Sequence, residues 1–185
     1  MRRDDTDADD AELAARAVAD RAAFGVLYDR YASPVYRFCF RRLGERAAAE
    51  DATSATFLRA IEALPGFRGG SFRAWLFAIA HSVVVNGRRR RTESALDETY
   101  EVVDPSMSPE DAAIAADGRR QIVELLAAIP EDQRRVIELR LAGLSGNEIA
   151  ESIGKSVAAV KMLQHRAMQR LRRVLAVPNA QEVER

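Results

Sequence analysis

Between Leu144 and Leu175 the chain reads LSGNEIAESIGKSVAAVKMLQHRAMQRLRRVL, and this pattern admits few folds. Ser145 followed three residues later by Glu148 has the spacing of a capping box, in which each side chain satisfies the other residue's backbone amide at a helix start. Ile149 and Ile153, one turn apart, form a short apolar stripe, and Gly154 supplies the stop. Ser156 can cap a second helix running to about Leu175. On a helical wheel Val160, Leu163, Ala167, Leu171 and Val174 share one side. Ala158, Lys161, Met162, His165, Gln169 and Arg172 share the other. Two helices joined by a tight glycine turn fit helix-turn-helix geometry, with the second helix shaped for the DNA major groove. From Lys155 to Arg173 there are six Lys or Arg and no acid. Ordinary solvated helices interleave Glu with their cations; this one does not, and DNA binding is the favoured reading.

The 185 residues carry no net charge, which alone would argue against a nucleic-acid partner. The distribution argues for one. Counted along the chain, residues 1–20 are net −4, 21–91 net +8, 92–118 net −8, and 119–175 net +5. Screening at physiological salt acts beyond about 8–10 Å, so each block presents its own field. A single cysteine, Cys39, excludes an internal disulfide and a Cys-rich zinc site; among Tyr36, Phe38 and Phe40 it reads as a small core residue. No apolar run approaches the roughly 18 residues of a membrane span. The N-terminus, MRRDDTDADDAE, has no hydrophobic stretch of a signal peptide, so a cytoplasmic protein without membrane insertion is expected.

Nearly every periodic segment is rich in Ala, Leu, Arg and Glu, as helix propensity prefers, and the expected fold is all-α. Two small helical domains are expected, joined by an acidic flexible linker, the second domain containing the helix-turn-helix. An acidic extension covers 1–20, the first domain 21–91, the linker 92–109, the second domain 110–175 and a tail 176–185. Helices are predicted near 9–31, 34–43, 46–64 and 71–91, then near 110–128, 131–142, 145–153 and 156–175. Pro34 is placed in a first helical turn after Ser33. Fully extended, the linker could reach about 60 Å; as a coil it averages about 25 Å.

In the first basic block, Phe72, Trp75, Leu76, Ile79 and Val83 recur at helical spacing and should bury one face. Arg88 to Arg91 put four cations at the helix end. Some of that run suits the helix dipole, but four in succession point to phosphate contact. The preceding loop, Phe67 to Ser71, combines an aromatic face, Arg68 and two glycines, a make-up suited to an unstacked base, although it could equally be an ordinary turn. The helix before it carries Phe57, Leu58, Ile61 and Leu64 together, with Glu50, Asp51, Ser54 and Arg59 elsewhere. That mixed face is either solvated surface or a protein-docking surface.

These pieces, FGVLYDRYASPVYRFCFRRLG, AEDATSATFLRAIEALPGFRGGSFRAWLFAIAHSVVVNGRRRR and LLAAIPEDQRRVIELRLAGLSGNEIAESIGKSVAAVKMLQHRAMQRLRR, resemble in their order bacterial RNA polymerase sigma factors of the small extracytoplasmic-function (ECF) type. The resemblance spans about residues 21–175. It implies a promoter-specificity subunit that binds core RNA polymerase, through its clamp and flap, and promoter DNA at the −10 and −35 elements. By that resemblance Glu50, Asp51, Thr53, Ser54, Phe57, Leu58 and Arg59 dock on the polymerase. Phe67, Arg68, Ser71, Trp75, Ser82, Asn86, Arg88, Arg89 and Arg90 would serve the proximal element and its melting. Ser156, Ala158, Lys161, Met162, His165, Arg166 and Arg172 would serve the distal element, with Lys161 and His165 the candidates for base edges. The acidic linker would lie in the enzyme's RNA-exit path, and an anti-sigma factor is a partner the family implies. His81-Ser82 stand where relatives commonly have Arg-Asn, so a base contact made by that Asn is not carried over.

Two other classes compete with this reading. A stand-alone helix-turn-helix regulator, its first block a sensing or dimerising domain, would bind duplex DNA without polymerase. An enzyme acting on nucleic acid finds little support: the only histidines are His81 and His165, and no HExxH, phosphate loop or metal-spaced carboxylate set is present. No catalytic residue, metal or cofactor is expected.

Overall fold

In the computed structural model, residues 3–93, 121–122 and 124–176 are described, with side chains from residue 9 to 87 and again from the second unit to Leu175. The linker 92–109 therefore lies, from residue 94 on, outside the described residues, as do the greater part of the helix predicted near 110–128 and the tail beyond Ala176. Among the described residues all regular structure is helical.

The first unit comprises α1 (Arg3–Ala17), α2 (Arg21–Leu43), α3 (Arg46–Ala63), a 3-10 turn at Leu64–Gly66 and α4 (Phe72–Glu93). The second comprises α5 (Glu131–Leu141), α6 (Gly146–Ile153) and α7 (Val157–Ala176). α2 packs on α1, α3 and α4, while α5, α6 and α7 pack on one another. In addition α6 packs on α4 and α5 touches α2. The two units therefore meet.

One boundary differs from the sequence reading. The predicted break before Pro34 is absent, and α2 runs through it without interruption. Leu27, Tyr31, Val35 and Phe38 lie at helical spacing and are all fully buried. An internal proline costs about 3 kcal/mol, whereas each large apolar side chain buried is worth about 1.5–3 kcal/mol; burial prevails. The break falls instead between Ala17 and Arg21. There Asp20 adopts an extended backbone, and its carboxylate accepts from the Ala22 amide at 2.9 Å, a side-chain N-cap.

The main core is continuous across both units. Phe38, Phe72, Leu76 and Phe77 of the first and Val136, Leu139, Leu144, Ile149 and Val160 of the second belong to one cluster. Phe38 and Phe77 meet edge to face at 5.5 Å between centroids, a favourable arrangement for their quadrupoles. Cys39 is buried as expected, and burial pushes its thiol up to about 11, so it is an unreactive core group. A smaller cluster of Leu126, Ile129, Ile137 and Ala167 lies under α7.

The helix-turn-helix forms as its sequence requires. Ser145 Oγ accepts from the Glu148 amide at 3.2 Å, and Glu148 accepts from the Ser145 amide at 2.7 Å. Gly154 ends α6 at φ +65°, a conformation that costs residues with a Cβ about 1–2 kcal/mol. Ser156 Oγ then accepts from the Ala159 amide at 3.2 Å. A Cβ at Gly154 would meet nothing within 4 Å, so Gly154→Ala isolates the backbone cost. It should lower unfolding free energy by about 1 kcal/mol in urea titration without changing the far-ultraviolet spectrum; an unchanged midpoint would contradict the left-handed cap.

Candidate nucleic-acid interface

α7 presents the two faces its spacing predicts. Val160 and Ala167 are fully buried, Leu163 and Leu171 half-buried, and only Val174, near the helix end, is exposed. On the outer side Ala158, Lys161, Met162, His165, Arg166 and Arg172 are all exposed, Met162 to 53%. Lys161, Gln164, His165, Met168, Gln169 and Arg172 line an open depression on the helix. Gln169 Nε2 lies 3.0 Å from His165 Nε2. Arg140 of α5 donates to the Leu144 carbonyl at 3.0 Å and to Gln164 Oε1 at 3.2 Å. It ties the turn before α6 to α7 and fixes the angle at which the outer face is held. Ser156 is exposed, with its hydroxyl engaged in capping.

The proximal group is divided by burial. Phe67 packs edge to face on Phe72 at 5.9 Å and lies 5.2 Å from Trp75, making a half-buried aromatic cluster at the start of α4. Arg68, Ser82 and Asn86 are exposed. Ser71 is only 8% exposed: its hydroxyl accepts from the Ala74 amide at 3.2 Å and donates to Glu148 of α6 at 3.1 Å. In this arrangement Ser71 is not available to a ligand, because the second unit covers it. Arg88, Arg89 and Arg90 lie on the backbone of α4, and their side chains are outside the described residues.

The face of α3 also needs correction. The four apolar residues grouped on one side separate, since Phe57 and Leu64 are buried while Leu58 is 62% and Ile61 50% exposed. Phe57 packs on Phe24 and Tyr28 and is core, so it cannot itself touch a partner. Adjacent helical residues point about 100° apart, which puts Phe57 inside and Leu58 outside. Glu50, Asp51, Ser54 and Arg59 are exposed, with Glu50 paired to Arg46 at 2.9 Å. Val26 and Tyr28 of α2 are both 46% exposed, apolar residues lying off the buried stripe of Leu27 and Tyr31.

His81 faces the second unit. Burial, with the cations Arg135 and Arg42 nearby, pulls its imidazole down to about 4, and Glu131 opposes that shift. An arginine there would add a further cation beside Arg42 and Arg135, so neutral histidine suits the position. The unfolded chain binds this proton near pH 6.5 while the folded chain refuses it until about pH 4. His81 therefore costs the fold nothing above pH 6.5, and stability falls progressively from pH 6.5 to 4. His81→Gln should flatten the slope of melting temperature against pH in that window; an unchanged slope would show that other groups carry it.

A helix-turn-helix whose second helix carries an exposed, basic and acid-free outer face marks a DNA-binding protein. The comparisons with known proteins agree. Residues 27–94 match the Sigma-70 region 2 family and residues 119–171 the Sigma-70 region 4 family. The chain is 39% identical over 184 residues to the ECF RNA polymerase sigma factor BldN of Streptomyces coelicolor, covering 94% of this chain and 70% of that one. It is 36% identical over 173 residues to the ECF sigma factor SigD of Mycobacterium tuberculosis, covering 88% and 82%. Among solved structures, CnrH in complex with the cytosolic domain of CnrY superposes with a TM-score of 0.72 at 28% identity, over 90% of this chain and 96% of that one. RpoE of Bartonella quintana, solved with the anti-sigma factor NepR, shares the fold at a TM-score of 0.62 and 23% identity, over 84% and 98%. The chain belongs to the ECF RNA polymerase sigma factors and is a promoter-recognising sigma subunit.

Proposed function

We propose that the three exposed groups divide the work of a sigma subunit as follows. Leu58, with Glu50, Asp51, Ser54 and Arg59 around it, docks on core polymerase, and Phe57 supports that face from beneath. The aromatic cluster of Phe67 and Trp75, with Arg68, Ser82, Asn86 and the cations Arg88, Arg89 and Arg90, holds the unpaired strand of the proximal element. Stacking of about 1–3 kcal/mol per base offsets the few kcal/mol spent on unstacking. Lys161 and His165 read base edges of the distal element, while Arg166 and Arg172 contact phosphates.

The observation that carries this reading is the arrangement of the two matched regions. Each coincides with one basic block, and the region 4 match contains a helix whose outer face is exposed and free of acid. The subunit works by binding and orientation, without a reaction of its own, in the cytoplasm where polymerase and chromosome meet. Among the described residues no helix is long and apolar enough to cross a membrane, and no group of His, Cys, Asp or Glu could hold a metal. CnrH was solved with a cytosolic protein domain bound to it, and we extend a partner of that sort, an anti-sigma factor, to this chain.

Two substitutions test the assignment. Lys161→Ala with Arg166→Ala should reduce run-off transcription from the cognate promoter by about tenfold or more, since a good base contact is worth about 1–3 kcal/mol, while pull-down of core polymerase stays intact. Loss of the pull-down would move polymerase binding to α7. Leu58→Asp should abolish association with core polymerase at an unchanged melting temperature, because the side chain is exposed in the free chain; undiminished pull-down would remove α3 from the docking face.

A further inference from the structure

We propose that Met162 reads the C5-methyl group of a thymine in the distal element, so that this chain selects its promoters partly through one apolar contact on the floor of the major groove. The proposal rests on the functional reading of α7 above and assigns a base to one of its residues.

The position of the side chain on α7 points to this role. Met162 and Ala158 each stand two places from the fully buried Val160, so both point about 200° round from the core side. They are one turn apart and adjacent on the helix surface. A helical side chain leans toward the N-terminus, which lays the Met162 thioether over Ala158 and joins the two into an apolar strip. The strip falls in the first two turns after the Ser156 cap, the part of a recognition helix that meets base edges. Lys161 borders it on one side and Arg166 on the other, both exposed. Met168, also exposed, stands eight places beyond Val160 and so only about 80° from the buried side, on the flank of the helix.

The chemistry of the groove supplies the partner. Donors and acceptors line the major-groove edges of all four bases, and the thymine methyl is the apolar group among them. A methionine set against the amino group of cytosine or adenine would strip water from it without replacing the hydrogen bond, which is unfavourable. Against a thymine methyl the same side chain buries apolar surface on both partners. An unbranched, polarisable thioether adapts its shape to such a contact. Met162 is 53% exposed in the free chain, so this burial is left for the bound state. The residue thus favours one base and disfavours the others.

The test uses the full chain with core polymerase, bound to duplex DNA of the cognate promoter. Each distal-element thymine, on either strand, is replaced in turn by uracil, which pairs as thymine does and lacks only the methyl. At one position, or two adjacent ones, wild type should lose affinity about fourfold, the worth of one buried methyl. Met162→Ala, whose melting temperature should match wild type because the side chain is exposed, should bind thymine and uracil equally there. Its affinity for the unmodified promoter should fall by a similar factor. Lys161→Ala should weaken binding to every template while keeping the difference between thymine and uracil. Uracil without effect at every position overturns the proposal. A uracil effect undiminished in Met162→Ala also overturns it, and gives the methyl to another residue. If neither substitution changes affinity for any template, the assignment of α7 to the distal element is what has failed.

Discussion

Glu138 is a carboxylate with no exposed surface, held between Arg42 of α2 and Arg134 one turn earlier on its own helix. Burial pushes its carboxyl up, and the two guanidiniums act against that. A pair of this sort contributes little net stability, since desolvation consumes most of the Coulombic gain, yet removing one partner costs about 3–5 kcal/mol. Its effect is geometric. Few relative positions of α2 and α5 satisfy it, and reciprocal bonds narrow them further: Arg134 donates to the Arg41 carbonyl at 3.2 Å, while Arg41 donates to the Glu138 carbonyl at 3.4 Å. Arg42 also lies over the Phe38 ring at 5.9 Å, so the ionic network stands directly on the aromatic core.

From that anchorage the other surfaces take their places. With α5 seated on α2, α6 is brought to the beginning of α4, and α7 is left on the outside with its basic face to solvent. A second buried carboxylate lies nearer the N-terminus: Asp10 of α1, fully buried, accepts from the Tyr31 hydroxyl and pairs with Arg30. The Tyr31 ring lies under Arg73 at 5.7 Å. Burial and Asp10 together push the Tyr31 hydroxyl well above its usual range, so it stays a neutral donor. The acidic N-terminal segment, to which no role attaches from sequence, thereby becomes a structural helix on α2.

How much of this was legible follows the range of the interactions. The capping box at Ser145 and Glu148, the Gly154 stop and the Ser156 cap involve residues within a few positions of one another, and each forms as its spacing requires. The apolar stripe of α4 reads in part: Phe72, Leu76 and Val83 lie inside, Trp75 and Ile79 are half-buried, and the fully buried Phe77 and Val84 fall outside the stripe the spacing picks out. Pro34 and Phe57 show where local rules fail. At Pro34 a breaking signal yields to the packing of Leu27, Tyr31, Val35 and Phe38. At Phe57, neighbouring apolar residues read as one patch although the helix turns them to opposite environments. Asp20 carried a usable N-cap signal that the chain's high helical propensity obscured.

The sequence by itself determined that the chain is helical and that it carries a helix-turn-helix with an unopposed cationic face. Those properties reside in periodicity, capping and charge sign, all of which act within one or two turns. Only the tertiary structure decided that the two units share a core, and that Ser71 and Glu148 are each other's partners. Arg42 and Glu138 are 96 residues apart in the chain, and no local spacing encodes a pairing across that distance. Burial selects it, because a carboxylate withdrawn from water must find its cation wherever the fold brings one.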